Sequence, residues 1–158
     1  MAQSFHAAAE IDDTDYKLLA MLQEEGRVSF RELGRRVKMS PPAIAERVRR
    51  LEESGVIRGY KAVVDIQRLG LQLTAFVRIR YPSGDYRPFE KVIRDRPEVI
   101  DCYHVTGEDC FLLKVVARSM GELEATSGVL ARLGATTTSL VFSTLVSDRP
   151  VSPPQAST

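Results

Sequence analysis

Histidine and cysteine are scarce in this chain, and each shortage closes off a class of chemistry. The only thiols are Cys102 and Cys110 and the only imidazoles His6 and His104, in 158 residues. Two thiols cannot build a disulfide framework or a four-thiolate zinc site. Two imidazoles leave little for another metal centre, and His104 is the one candidate base outside the N-terminal tail, so no Ser/His/Asp or Cys/His arrangement emerges. We therefore assign no catalytic residue, no metal ligand and no cofactor. Long hydrophobic runs are missing too: no stretch approaches the ~18 consecutive apolar residues of a membrane helix. The start, MAQSFHAAAE, lacks the basic residues and apolar run of a secretory signal, which predicts a cytoplasmic chain without membrane contact.

An excess of one charge is also absent, since the formal net charge is +1. Hydrophobic residues make up 44% and charged residues 27%, ordinary values that exclude wholesale disorder. The length suits one ordinary domain or two small ones and is short for a multi-step enzyme. The neutral total hides an uneven distribution. From Met1 to Gly26 one basic residue, Lys17, stands against six acids. From Arg27 to Lys61 ten basic residues meet four acids, and from Ala62 to Thr158 there are eleven of each. A basic block beside a neutral remainder points to one half that meets a polyanion, unless the block is only a solvated face.

The pattern inside the block favours the polyanion. Asp12 caps a first helix with Leu18, Leu19 and Leu22 on one side, ended by Gly26. Ser29 and Glu32 form a capping box for a second helix, whose apolar side is Phe30, Leu33 and Val37. Lys38 and Met39 alone separate it from Ser40, which caps a third helix with Pro41 in its first turn, where a missing N–H is harmless. That is a helix-turn-helix. The following VIRGYKAVV, apolar and β-branched around Gly59, predicts a small two-stranded wing.

At about 100° per residue, Ile44, Val48 and Leu51 make the core stripe of the third helix, and Arg49, Pro42, Glu46 and Arg50 share the opposite face. Arg47 lies at the stripe's edge, where its stem packs and its guanidinium reaches out. A helix-turn-helix sets the N-terminal part of its second helix against base edges, which selects Pro42, Ala43 and Glu46. Arg35, Arg36, Arg47, Arg49 and Arg50 suit phosphates, and Ser29, Ser40 and Pro41 hold the helix starts beside them. Glu46 either accepts from a cytosine amino group or pairs with Arg49 or Arg50 on its own helix.

From Gln72 the periodicity reads strand, helix (Arg87–Asp95), strand (Glu98–Thr106), strand (Cys110–Arg118), helix (Met120–Leu133), strand (Thr136–Val146). This βαββαβ order is the ferredoxin-like pattern, with both helices on one face of an antiparallel sheet. The other face carries apolar residues as well, Phe76, Leu112, Val116, Leu140 and Phe142 among them, where a wet face should be polar. A two-fold partner packed sheet on sheet is the economical solution, so a homodimer is expected. Two recognition helices related by that two-fold would read a palindromic operator. A hairpin turning at Gly107-Glu108 sets Cys102 nearer Leu113 than Cys110, so no disulfide is expected.

The elements Ile11-Asp12-x-x-Asp15, Gly26-Arg27, Glu32-Leu33, Ser40, Arg47-Val48-x-Arg50-Leu51-Glu52 and Gly55-Val56-Ile57-x-Gly59-Tyr60 resemble the feast/famine regulators, the Lrp/AsnC family. Pro42 and Glu46 depart from the small hydroxyl and basic residues frequent there. The resemblance runs from Ile11 to about Val151 and implies an α+β chain. Its parts are a tail (1–10), a winged helix-turn-helix (11–64), a linker strand (65–71), a ferredoxin-like RAM/ACT-like domain for regulation and dimerisation (72–147) and a frayed C-terminal tail (148–158). It implies a transcription regulator of the nucleoid that binds double-stranded DNA, assembles from dimers to tetramers or octamers and answers to an amino acid.

The Thr106-Gly107-Glu108-Asp109-Cys110 link has the glycine and acids to hold an ammonium group, although the same composition makes a plain hairpin. By resemblance the effector site would be Val105, Gly107, Glu108, Asp109 and Cys110, with Met120 nearby and Thr137 and Ser139 on the last strand. Cys110 stands where many members have aspartate. The alternative from another class is a decarboxylase of the sirohaem route, which resembles the same two-domain chain. One core histidine and arginines gathered on the helix-turn-helix argue against it.

Overall fold

Asp12 and Asp15 settle where the first helix begins. The Asp12 carboxylate accepts from the Asp15 N–H at 2.8 Å and Asp15 returns the bond to the Asp12 N–H at 3.3 Å, a complete capping box. The computed structural model describes residues 10–82, 84–108 and 110–151. They form two units: residues 10–63 with 146–151, and residues 64–145.

In the first unit, α1 (Asp13–Glu24), α2 (Phe30–Val37) and α3 (Pro41–Glu53) enclose Leu18, Leu33, Ile44 and Val48, all nearly inaccessible. Fully burying each such side chain is worth roughly 1.5–3 kcal/mol, a modest total for a unit of this size. Phe30 stays outside this core at 43% exposure. Helical side chains tilt toward the N-terminus, so a first-turn residue projects past the packed segment. Between α2 and α3, Lys38 adopts a left-handed conformation at φ 57° and the Met39 N–H donates to the Gly34 carbonyl at 2.9 Å. A Cβ on Gly34 would overlap the Met39 carbonyl oxygen, so the turn requires glycine there.

The wing differs from expectation. Residues 54–65 contain no strand; Gly59 at φ 148° breaks the extended run, and an isolated two-stranded ribbon is marginal in water. The expected linker strand is instead a 3₁₀ turn, Gln67–Leu69, in the second unit, with the Asp65 carboxylate accepting from the Gln67 and Arg68 N–H groups. The expected frayed end is tied at one place. The Gln23 amide donates to the Val151 carbonyl at 3.2 Å and accepts from its N–H at 2.8 Å.

The second unit is the βαββαβ layer: β1 (Leu73–Arg80), α4 (Arg87–Arg94), β2 (Val99–His104), β3 (Phe111–Ala117), α5 (Met120–Ala131) and β4 (Ala135–Leu140). The sheet is antiparallel in the order β2-β3-β1-β4. Ala75, Val77 and Ile79 of β1 and Phe111, Leu113 and Val115 of β3 face Phe89 of α4 and Leu123 and Leu130 of α5, one core under both helices. Phe89 stacks on Phe111 with ring centroids 4.0 Å apart. Cys102 pairs with Leu113, and both cysteines are free.

Two details correct the sequence reading. β4 stops at Leu140, because β1 starts at Leu73 and offers a single further acceptor, Thr74, to Val141. Phe142 and Leu145, at 99% and 94% exposure, therefore lie beyond the sheet. The outer face is also mixed rather than apolar throughout, and Leu140, opposite Ala75, belongs to the helix-covered face instead. Phe76, Leu112 and Tyr103 share the outer face with Arg78, Arg80 and Lys114, as the registers Phe76↔Lys114, Arg78↔Leu112 and Tyr103↔Leu112 require.

Candidate nucleic-acid interface and effector loop

The predicted DNA-binding residues fall on one helix pair, but their charges are largely spoken for. Ser29 caps α2 by accepting from the Glu32 N–H at 3.2 Å. The capping box is only half made, because the Glu32 carboxylate turns to Arg35 and Arg36, each at 2.7 Å. Those two guanidiniums, Arg35 first, hold the Glu32 carboxyl down at about 2. Arg36 also reaches Glu25 at 3.2 Å.

Ser40 caps α3 by accepting from the Ala43 N–H at 3.4 Å. Pro41 and Pro42 occupy the first two helical positions and have no N–H. Along the exposed face, Arg49 bridges Glu46 at 2.5 Å and Glu53. Its hydrogen bond lowers the carboxyl of Glu46. The pairing considered for Glu46 thus exists, with Arg49 as partner.

Arg47 does not reach outward. Its guanidinium donates to Asp12 at 2.7 Å and to Asp15 at 2.8 Å, and Arg50 meets the other Asp15 oxygen at 2.9 Å. Asp15 is fully buried, so α1 and α3 are joined by a carboxylate clasped between two cations. Asp12 was legible as a helix cap, whereas the bonds of Asp12 and Asp15 to α3 needed the tertiary fold.

In the second unit the β2–β3 link is tight. The Val105 N–H donates to the Cys110 carbonyl and the Cys110 N–H to the Ile79 carbonyl, both at 2.9 Å, and Gly107 takes φ 110°. Glu108 is held by Arg80 at 2.7 Å, a partner the sequence did not suggest. Asp109 lies outside the described residues. Thr137 sits opposite Arg78 and Ser139 opposite Phe76 on the outer face, Thr137 nearer the loop end. Met120 does not join them. It follows the far end of β3, whose seven residues at ~3.3 Å each separate it from the loop. Beside the loop, His104 stacks on Phe111 at 4.8 Å and meets the edge of Tyr86 at 4.9 Å, an aromatic cluster invisible to spacing rules.

A capped helix-turn-helix with an exposed third helix, followed by a βαββαβ layer whose edge loop is glycine-pinned, defines the two-domain DNA-binding regulators. The comparisons agree along nearly the whole chain. Residues 11–58 match the model described as winged helix-turn-helix DNA-binding, and residues 74–151 the Lrp/AsnC ligand binding domain. The HTH-type transcriptional regulator LrpC of Bacillus subtilis is 35% identical over 134 residues, 85% of this chain and 93% of the relative. The Bkd operon transcriptional regulator of Pseudomonas aeruginosa is 38% identical over 120 residues, 74% of this chain and 78% of the relative. The solved structure of LrpC superimposes with a TM-score of 0.83 at 34% identity, covering 87% of this chain and 99% of that one. A Neisseria meningitidis transcriptional regulator, solved as an L-Met complex, gives 0.81 at 31% identity, covering 89% and 96%. The chain belongs to the Lrp/AsnC family of transcription regulators. Among the described residues no helix is long and apolar enough to cross a membrane.

Proposed function

We propose that this protein is a cytoplasmic, nucleoid-bound transcription regulator, not an enzyme, whose grip on a palindromic operator or whose assembly responds to an amino acid. The carrying observation is the outward face of α3, where Pro42, Ala43 and Glu46 stand exposed or half-exposed beyond a capped turn. That is the part of a helix-turn-helix that meets base edges. The regulator names of the relatives support the same reading.

The effector is an amino acid held at the β2–β3 loop by Val105, Gly107, Glu108, Asp109 and Cys110, with Thr137 and Ser139 on the neighbouring outer face. The L-Met complex of a structural relative supports this ligand class. Within one protomer Met120 is remote from that loop, so its contribution would come from another subunit. The subunits pair through the outer sheet face, where Phe76 and Tyr103 remain 37% and 52% exposed, and dimers assemble further to tetramers or octamers. No cofactor is needed.

The test is capture of bound genomic DNA, followed by an amino-acid panel on the best site with binding and sedimentation read together. At least one amino acid should shift the operator affinity or the sedimenting species. Silence across the panel, with operator binding intact, would remove the effector.

A further inference from the structure

We propose that the head grips the phosphate backbone through Arg31 and Lys38 rather than through the arginines of α3; the inference rests on the DNA-binding reading above. The start of α3 is already committed. Of its first three N–H groups, two are absent at Pro41 and Pro42 and the third, on Ala43, donates to the Ser40 hydroxyl. The Ile44 N–H donates to the Ser40 carbonyl. The helix start that usually offers N–H groups to a phosphate is closed. Its arginines are committed as well: Arg47 to Asp12 and Asp15, Arg49 to Glu46 and Glu53, Arg50 to Asp15. On α2, Arg35 and Arg36 share Glu32.

A guanidinium that leaves a carboxylate for a phosphate abandons an anion beside the polyanion. Such an exchange releases few counterions in net terms, and counterion release is the main source of sequence-independent affinity. The cations without an acidic partner escape that penalty. Arg31 and Lys38 are both exposed and have none among the described residues. Arg31 lies on the first helix of the pair, the one that crosses the backbone, and Lys38 in the turn leading to Ser40. Arg31 also neighbours Arg35 four residues on, along the α2 side opposite Leu33.

The experiment uses the full chain and a mixed-sequence duplex, with affinity followed between about 50 and 200 mM salt. Arg31→Ala and Lys38→Ala should each flatten the plot of log affinity against log salt by about 0.9 per bound protomer. Glu32→Gln should steepen it, because Arg35 is set free and Arg36 keeps only Glu25. Thermal melts of each variant distinguish a lost contact from a lost fold. Unchanged slopes for Arg31→Ala and Lys38→Ala in folded protein would overturn the assignment. So would an unchanged slope for Glu32→Gln, since it would mean that Arg35 and Arg36 already serve phosphates. If the unaltered protein ignores duplex DNA at low salt, the DNA-binding reading fails and takes this one with it.

Discussion

At the scale of the residue, Asp15 matters most to the head. It is a fully buried carboxylate at the start of α1, and two arginines of α3 converge on it. Burying a lone carboxylate is prohibitive, and a buried pair that loses one member leaves the other charge stranded. Asp15→Ala removes the carboxylate, takes the partner of Arg50 and leaves Arg47, at 24% side-chain exposure, with Asp12 alone. It should destabilise the head by about 3 kcal/mol, the low end for a broken buried pair because Arg47 keeps Asp12 and some water. Denaturant unfolding of the head measures it, and a loss within about 0.5 kcal/mol, the range of surface substitutions, would show that the clasp contributes nothing. Residue type and place before the apolar run revealed Asp12 as a helix cap. They could not reveal the clasp, since Asp15 and Arg47 stand 32 positions apart and only tertiary structure joins them.

At the scale of the element, helix starts were the most legible features, because a cap is a local exchange between a side chain and an N–H three residues away. Asp12, Ser29 and Ser40 all cap as their positions suggest. Strand ends were less legible, since a strand lasts only as long as its neighbour. That is why β4 stops at Leu140 although Val141, Phe142, Leu145 and Val146 continue the apolar pattern. The α2–α3 turn offers a sharp element-level test. Gly34 lies inside α2, where alanine would ordinarily be favoured, yet its Cβ would collide with the Met39 carbonyl oxygen. Backbone cannot yield as a side-chain tip can, so the helix pair must open. Gly34→Ala should cost about 1–3 kcal/mol in head stability and weaken DNA binding along with it. A stabilised variant, read by thermal melting, would mean that the turn is looser than described.

At the scale of the whole molecule, the helical head holds both the acidic stretch to Gly26 and the basic block, and the sheet unit is balanced. The sheet's outer face joins Phe76, Leu112 and Tyr103 to Arg78, Arg80 and Lys114. The aromatic and aliphatic members would favour a two-fold partner by roughly 1.5–3 kcal/mol for each side chain fully covered. The cations oppose it only in part, since Glu108 holds Arg80 and Asp101 stands opposite Lys114, and the balance is open to a charge change. Phe76→Arg adds a fourth cation opposite Lys114 on the central strand pair, at a position already 37% exposed and therefore tolerant in the isolated layer. The variant should sediment as single protomers with an unchanged far-ultraviolet spectrum. Two heads joined in one particle bind adjacent half-sites at high effective concentration, an advantage of about 10²–10⁴ that separate protomers lose. Operator affinity should fall by that order, while affinity for a single half-site holds. A Phe76→Arg protein that still sediments as a dimer would place the subunit contact elsewhere, with the exposed 141–146 segment next to be tested.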